Sequence, residues 1–185
     1  MSSTVLDPAL TGTYVLDGSH SRLGFSARHA MVTKVRGQFK EYEGTGFLDF
    51  DNPEKSNATV TVQVASVDTS NEQRDGHLRT NDFFDAPTYP TITFASTGVE
   101  KVDDENYKLT GDLTIKDVTK PVTIDFEFTG ASVDPYGNNR AGFEGKTVIN
   151  RKDWGINFNA ALETGGVLVS EKVTLEFDIS AIRQA

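Results

Sequence analysis

Cysteine is absent from the 185-residue chain, so neither a disulfide framework nor a thiolate metal site can be built. Basic charge is scarce: 18 lysines and arginines stand against 27 acidic residues, a net of -9. That balance disfavours nucleic-acid phosphates and anionic membrane surfaces as partners. No run approaches the ~18 apolar residues of a spanning helix, so no stable membrane insertion is expected. The opening MSSTVLDPALTG lacks the basic and apolar regions of a secretory leader. The expectation is therefore a cytoplasmic protein; a periplasmic or secreted chain whose leader had been removed would read the same. The histidines are few, His20, His29 and His77. Without an HxH or HExxH pair they do not fit common zinc spacings, and GxGxxG and GxxxxGK[ST] are missing, so no metal, no cofactor and no nucleotide cradle are expected.

What the chain has in quantity is alternation. From Gly12 onward, apolar residues recur at every second position, the period of a strand with one buried face. Leu23, Phe25 and Ala27 share a face, and continuing the count puts His29 on it. Val35 and Phe39, then Val60, Val62 and Val64, then Ile92 and Phe94 repeat the pattern. Leu113 and Ile115 follow, then Val122, Ile124, Phe126 and Phe128, and finally Val173 to Ile179. Lys116 to Lys120 reads as a hairpin connection and Asp134 to Asn139 as an exposed turn. This predicts an all-β domain over 12–185, with about eight or more antiparallel strands in a barrel or sandwich, behind a flexible tail at 1–11. A small barrel's interior can be filled by its own side chains or hold a ligand, and periodicity does not choose between them.

One stretch breaks the rhythm, Asn71 to Phe94. Asn71 can cap a short helix, with Asp75 and Arg79 spaced for an i,i+4 ion pair on a solvated side. Phe83 and Phe84 then present two rings before Pro87 and Pro90 force an extended path. Arg74, Asp75 and His77 form a polar cluster that reads either as pins for this helix or as an acid and base. Pinning is the simpler reading, because no nucleophile elbow accompanies them. His29 is either a core histidine bonded to backbone or a polar contact for a ligand head group. Trp154 is either core or the closure of one end of a cavity. Arg151 could offer charge to a phosphate, although an arginine at a strand end is more commonly a surface group.

The ordered set Asp17-Gly18-Ser19-His20-Ser21, Phe25 with His29, Gly37-Gln38-Phe39, RDGHL from Arg74, Asp82-Phe83-Phe84, YPTITF from Tyr89, GDLTIKDVTKPV from Gly111 and RKDWG from Arg151 resembles the YceI family. The resemblance runs from about Thr13 to Ile182. It implies an extended lipocalin-like barrel with a short helix between strands, whose apolar interior holds a polyisoprenoid such as an isoprenoid quinone or prenyl pyrophosphate. It implies no catalytic set. The expected ligand contacts are Leu23, Phe25, Ala27, Val35, Phe39, Phe84, Ile92, Phe94, Leu113, Ile115, Ile124, Phe126, Trp154 and Phe158, with His29, Arg74 and Arg151 for a polar head. The first reading is non-catalytic binding, storage or transport of an isoprenoid or similar long-chain lipid, with pairing into a homodimer open. The rivals are an enzyme acting on such a lipid and an interaction module with a solid core.

Overall fold

Alternation becomes strand almost wherever the sequence shows it. The computed structural model describes residues 10–30, 32–159 and 169–184, so the expected tail falls largely outside the described residues. The strands are β1 (Gly12–Leu16), β2 (Arg22–His29), β3 (Thr33–Phe39), β4 (Tyr42–Leu48), β5 (Asn57–Gln63) and β6 (Val67–Asp68). After α1 (Glu72–Leu78), the one α-helix among the described residues, come β7 (Thr91–Lys101), β8 (Asn106–Ile115), β9 (Val118–Val133), β10 (Asn139–Asn150) and β11 (Lys172–Arg183).

Neighbours pair antiparallel in the order β1-β4-β5-β7-β8-β9-β10-β11, and β11 pairs back onto β1. Eight strands thus close into a barrel, which removes their free edges. Closure splits β11: Ala181 to Arg183 pair with β1, while Thr174 to Asp178 pair with β2. The β2–β3 hairpin therefore continues the wall as a flap, and β6 meets β3 only at Gln38 and Phe39. The hairpin connection read from Lys116 to Lys120 is a tight turn with Lys116 and Asp117 both at positive φ, the conformation that matches strand twist.

Two packed regions sit at opposite ends of β8. Leu113 and Ile115 belong to a cluster with Val64, Phe83 and Trp154; Tyr107 packs on a second one, Tyr14, Phe50, Phe128, Ala141 and Ala181. The first end is roofed by α1 and the segment after it, and the second is floored by rings.

On the outer face, Arg140 ties the β9–β10 turn to the end of β1, with Nη1 at 2.7 Å from Asp17 Oδ2 and Nε at 2.8 Å from Asp134 Oδ2. The bond from Arg140, seconded by Ser19, holds the Asp17 carboxyl well below the carboxylate range. For Asp134 the backbone N–H of Asn138 does most of this, with Arg140 assisting. Depressed folded values stabilise the fold above the ordinary carboxylate value of 3.8, and that stabilisation fades as pH falls below it. The Tm deficit of Arg140→Met is accordingly expected to be largest near neutral pH and to shrink below about pH 4. Thermal unfolding at pH 7 and pH 2.5 checks this, and a deficit independent of pH contradicts it.

Candidate functional site

The inward faces of the strands surround a cavity of about 380 Å³ with an almost wholly apolar wall. Both Tyr107 and Ile115 border it, eight residues apart on β8. At ~3.3 Å per residue and a tilt near 40° that is about 20 Å along the barrel axis. The interior is therefore a long sleeve that the protein's own side chains do not fill.

Of the residues singled out from sequence, Leu23, Phe25, Ala27, Phe39, Phe84, Ile92, Phe94, Leu113, Ile115, Ile124, Phe126 and Arg151 border this cavity. All but Phe84 and Arg151 lie on strands that turn the same parity inward. Phe25, Phe39 and Phe84 form a file of rings from wall to roof, with centroids 5.6 and 5.8 Å apart.

The other five lie elsewhere. β2 pairs with β11 as far as Ser26; beyond it His29 makes an isolated bridge to Val169, and Val35 stands opposite Ala27 on the flap. There His29 is exposed and Val35 half-buried, and neither borders the cavity. Arg74 turns away from the interior to Thr69, donating from Nε to Oγ1 at 2.7 Å and from Nη2 to the carbonyl at 2.8 Å. Trp154 is core: it is 3 % exposed, and its Nε1 donates to the Leu113 carbonyl at 2.9 Å. Phe158 packs outside the lumen against His77 and Phe83, at 5.0 and 5.1 Å between centroids.

The roof is pinned by the cluster read from sequence, with one correction. Asn71 caps α1, accepting from the Arg74 N–H at 2.9 Å. Asp75 does not pair with Arg79 on a solvated side; it is 7 % exposed and accepts from the Thr69 N–H at 2.8 Å and hydroxyl at 2.6 Å. Arg79 instead donates to the carbonyls of Ala65 at 3.0 Å and Val67 at 3.3 Å. Backbone groups freed where β6 ends claim both side chains before they can meet, because buried polar groups left unpaired cost more than a surface ion pair returns. His77 bonds Asp82 at 2.8 Å on the outer side of the roof.

Arg151 overturns its expected place at the surface. It lies on the 3-10 turn Arg151–Trp154, is 4 % exposed and borders the cavity at the roof end. Its Nε, Nη1 and Nη2 donate to the carbonyls of Ser170, Ile156 and Val169 at 2.8, 2.7 and 3.2 Å. Glu171, the acidic neighbour it senses, is held by Lys152 at 2.8 Å. Burial pushes the guanidinium below its ordinary value, and among the described residues no carboxylate pairs with it. Three of its five N–H groups donate to carbonyls among the described residues.

Sequence reasoning missed wall residues whose signal was present: Phe143 and Ile149 on β10 and Leu175, Phe177 and Ile179 on β11 alternate as cleanly as the residues chosen. Phe50 and Phe83 carry no period, and only the fold brings them to the lumen.

A closed antiparallel barrel with a roofed apolar lumen defines a lipocalin-like binding barrel. The model of the YceI-like domain matches residues 14–181, and the chain belongs to that family. A UPF0312 protein of Photorhabdus laumondii is 39% identical over 178 residues, covering 95% of this chain and 89% of its own. One from Staphylococcus aureus is 40% identical over 164 residues, covering 88% and 93%. Among solved structures, the Campylobacter jejuni YCEI protein matches with a TM-score of 0.75 at 32% identity, covering both chains fully. A polyisoprenoid binding domain from Saccharophagus degradans, implicated in plant cell wall breakdown, shares the fold at a TM-score of 0.69 and 15% identity, over 92% of this chain and 98% of its own. Among the described residues no helix is long and apolar enough to cross a membrane.

Proposed function

We propose that the protein binds a polyisoprenoid, an isoprenoid quinone or prenyl pyrophosphate, or a similar long-chain amphiphile in its lumen, and stores or carries it without chemical change. The observation that carries this reading is the sleeve itself, elongated, apolar and bordered at one end by a buried cation. A dry space of that volume costs on the order of 9 kcal/mol at ~24 cal/mol per Å³, comparable with the whole stability of a domain. A bound chain removes that cost and adds ~0.8 kcal/mol for each methylene it buries. Arg151 supplies the polar contact that fixes which end of the ligand lies under the roof. The name of the Saccharophagus relative points to the same ligand class.

Organic extraction of the purified protein followed by mass spectrometry tests the reading, together with titration of a fluorescent long-chain probe. The expected result is a co-purified long-chain lipid and saturable uptake of the probe at one site. A ligand recovered unaltered after long incubation distinguishes a carrier from an enzyme. A clean extract with no uptake overturns binding altogether. Phe84→Ala, which removes a ring between roof and wall, is expected to weaken probe binding about tenfold, since some 1–2 kcal/mol of contact is lost. Unchanged affinity removes Phe84 from the site.

A further inference from the structure

Three inward-facing glycines lie beneath phenylalanine rings, and from this we infer that Gly–Phe pairs set the bore of the lumen and hence the cross-section of chain it accepts. This inference rests on the lumen being a chain-binding site. The pairs are Gly37 with Phe25, Gly111 with Phe94 and Gly145 with Phe126. Phe25 and Phe126 stand directly across the ladder from their glycines, while Phe94 reaches diagonally to Gly111 from opposite Leu113. All three rings border the cavity and none of the three glycines does, because the ring covers it.

A methyl group at any of these glycines would collide with the ring above it. At Gly145 it would stand 2.5 Å from Phe126 Cδ1 and 2.6 Å from Cε1. At Gly37 it would meet Phe25 at Cζ and, at 2.9 Å, both Cε atoms. Such distances are far inside the 3.5–4.0 Å optimum between carbons, so the ring must move. The wall lies behind it, and the free direction is toward the barrel axis. Glycine lets each ring lie flat against the sheet, so a large apolar side chain lines the sleeve without plugging it. Ordinary inward residues would hold those rings upright across the bore.

Gly37 isolates the effect, because the three atoms nearest its added methyl all belong to the Phe25 ring. At Gly111 the Ala95 carbonyl at 2.6 Å, and at Gly145 the Asp125 carbonyl at 3.0 Å, would also object. The test uses the full chain, delipidated, and the 18-carbon polyene probe cis-parinaric acid. Gly37→Ala is expected to weaken binding roughly tenfold or more, the equivalent of two lost methylene contacts. The double variant Gly37→Ala, Phe25→Leu is expected to return to within about threefold of wild type, because leucine fits beside the new methyl. Wild-type affinity in Gly37→Ala, or a double variant as weak as the single, overturns the inference and leaves chain binding standing. Failure of the wild-type protein to bind any long chain overturns both.

Phe25→Leu alone gives a readout that does not depend on Gly37→Ala folding. Widening the bore over Gly37 is expected to raise the affinity for a methyl-branched 20-carbon acid relative to its straight isomer by roughly threefold or more. An unchanged ratio overturns the inference.

Discussion

Arg151→Met is expected to lower stability by about 3 kcal/mol or more, and Tm by roughly 10 °C for a domain of this size. The methionine fills similar volume but leaves the carbonyls of Ile156 and Ser170 without their donor, and that of Val169 with Asn159 Nδ2 alone. An exposed arginine at a strand end would change stability by about 0.5 kcal/mol or less, so the measurement separates the two placements sharply. Arg151→Lys keeps the charge and is expected to recover little, because one ammonium cannot match a planar fork spread over three carbonyls. Thermal unfolding of both variants checks this, and a Tm within a degree or two of wild type would contradict it.

The second large effect is expected from Phe126→Glu. Phe126 borders the lumen between Phe143 and Phe177, with ring centroids 6.5 and 5.9 Å away. A carboxylate there would stand between two phenylalanine rings on an almost wholly apolar wall, so its charged form is strongly disfavoured and its pKa is expected to rise. Above that raised value a long-chain probe must share the sleeve with a buried negative charge, and affinity is expected to fall on the order of a hundredfold. Below it the side chain is neutral, and part of the binding returns. Probe titrations at pH 5 and pH 8, each against wild type, read the sign. Asp125 and Glu127 flank the same position and are exposed, so acidity is tolerated one residue either way along the strand. Equal loss at both pH values would mean that the sleeve had collapsed rather than been charged.

The barrel was legible because β-strand burial has period two, and each run named from sequence, from Leu23 to Ile179, lies in or beside a strand. Ten of the twelve wall residues followed from the same parity, Phe84 and Arg151 lying outside the strands. What failed lay where parity stops. His29 keeps the inward parity and bridges Val169, yet it stands exposed past Ala27, the last residue of β2 to border the cavity. Trp154 and Phe158 lie on and after a 3-10 turn, where alternation says nothing about direction. Asp75 and Arg79 have the spacing of an ion pair, but the needs of nearby backbone groups decided their partners. The depth of Arg151 depends on carbonyls 5, 18 and 19 residues downstream, and no local pattern encodes that. Whether the interior was open or filled was equally hidden, because it turns on glycines that are remote in sequence from the rings they carry.

The partial pairing of β6 with β3 carries a consequence for the molecule's behaviour in company. Thr33 to Gly37 have β2 on one side and, among the described residues, no strand on the other. This short run is a place where a foreign strand could add and start a fibril. Lys34 and Arg36 stand exposed along it, repelling a second copy that would arrive carrying the same charges.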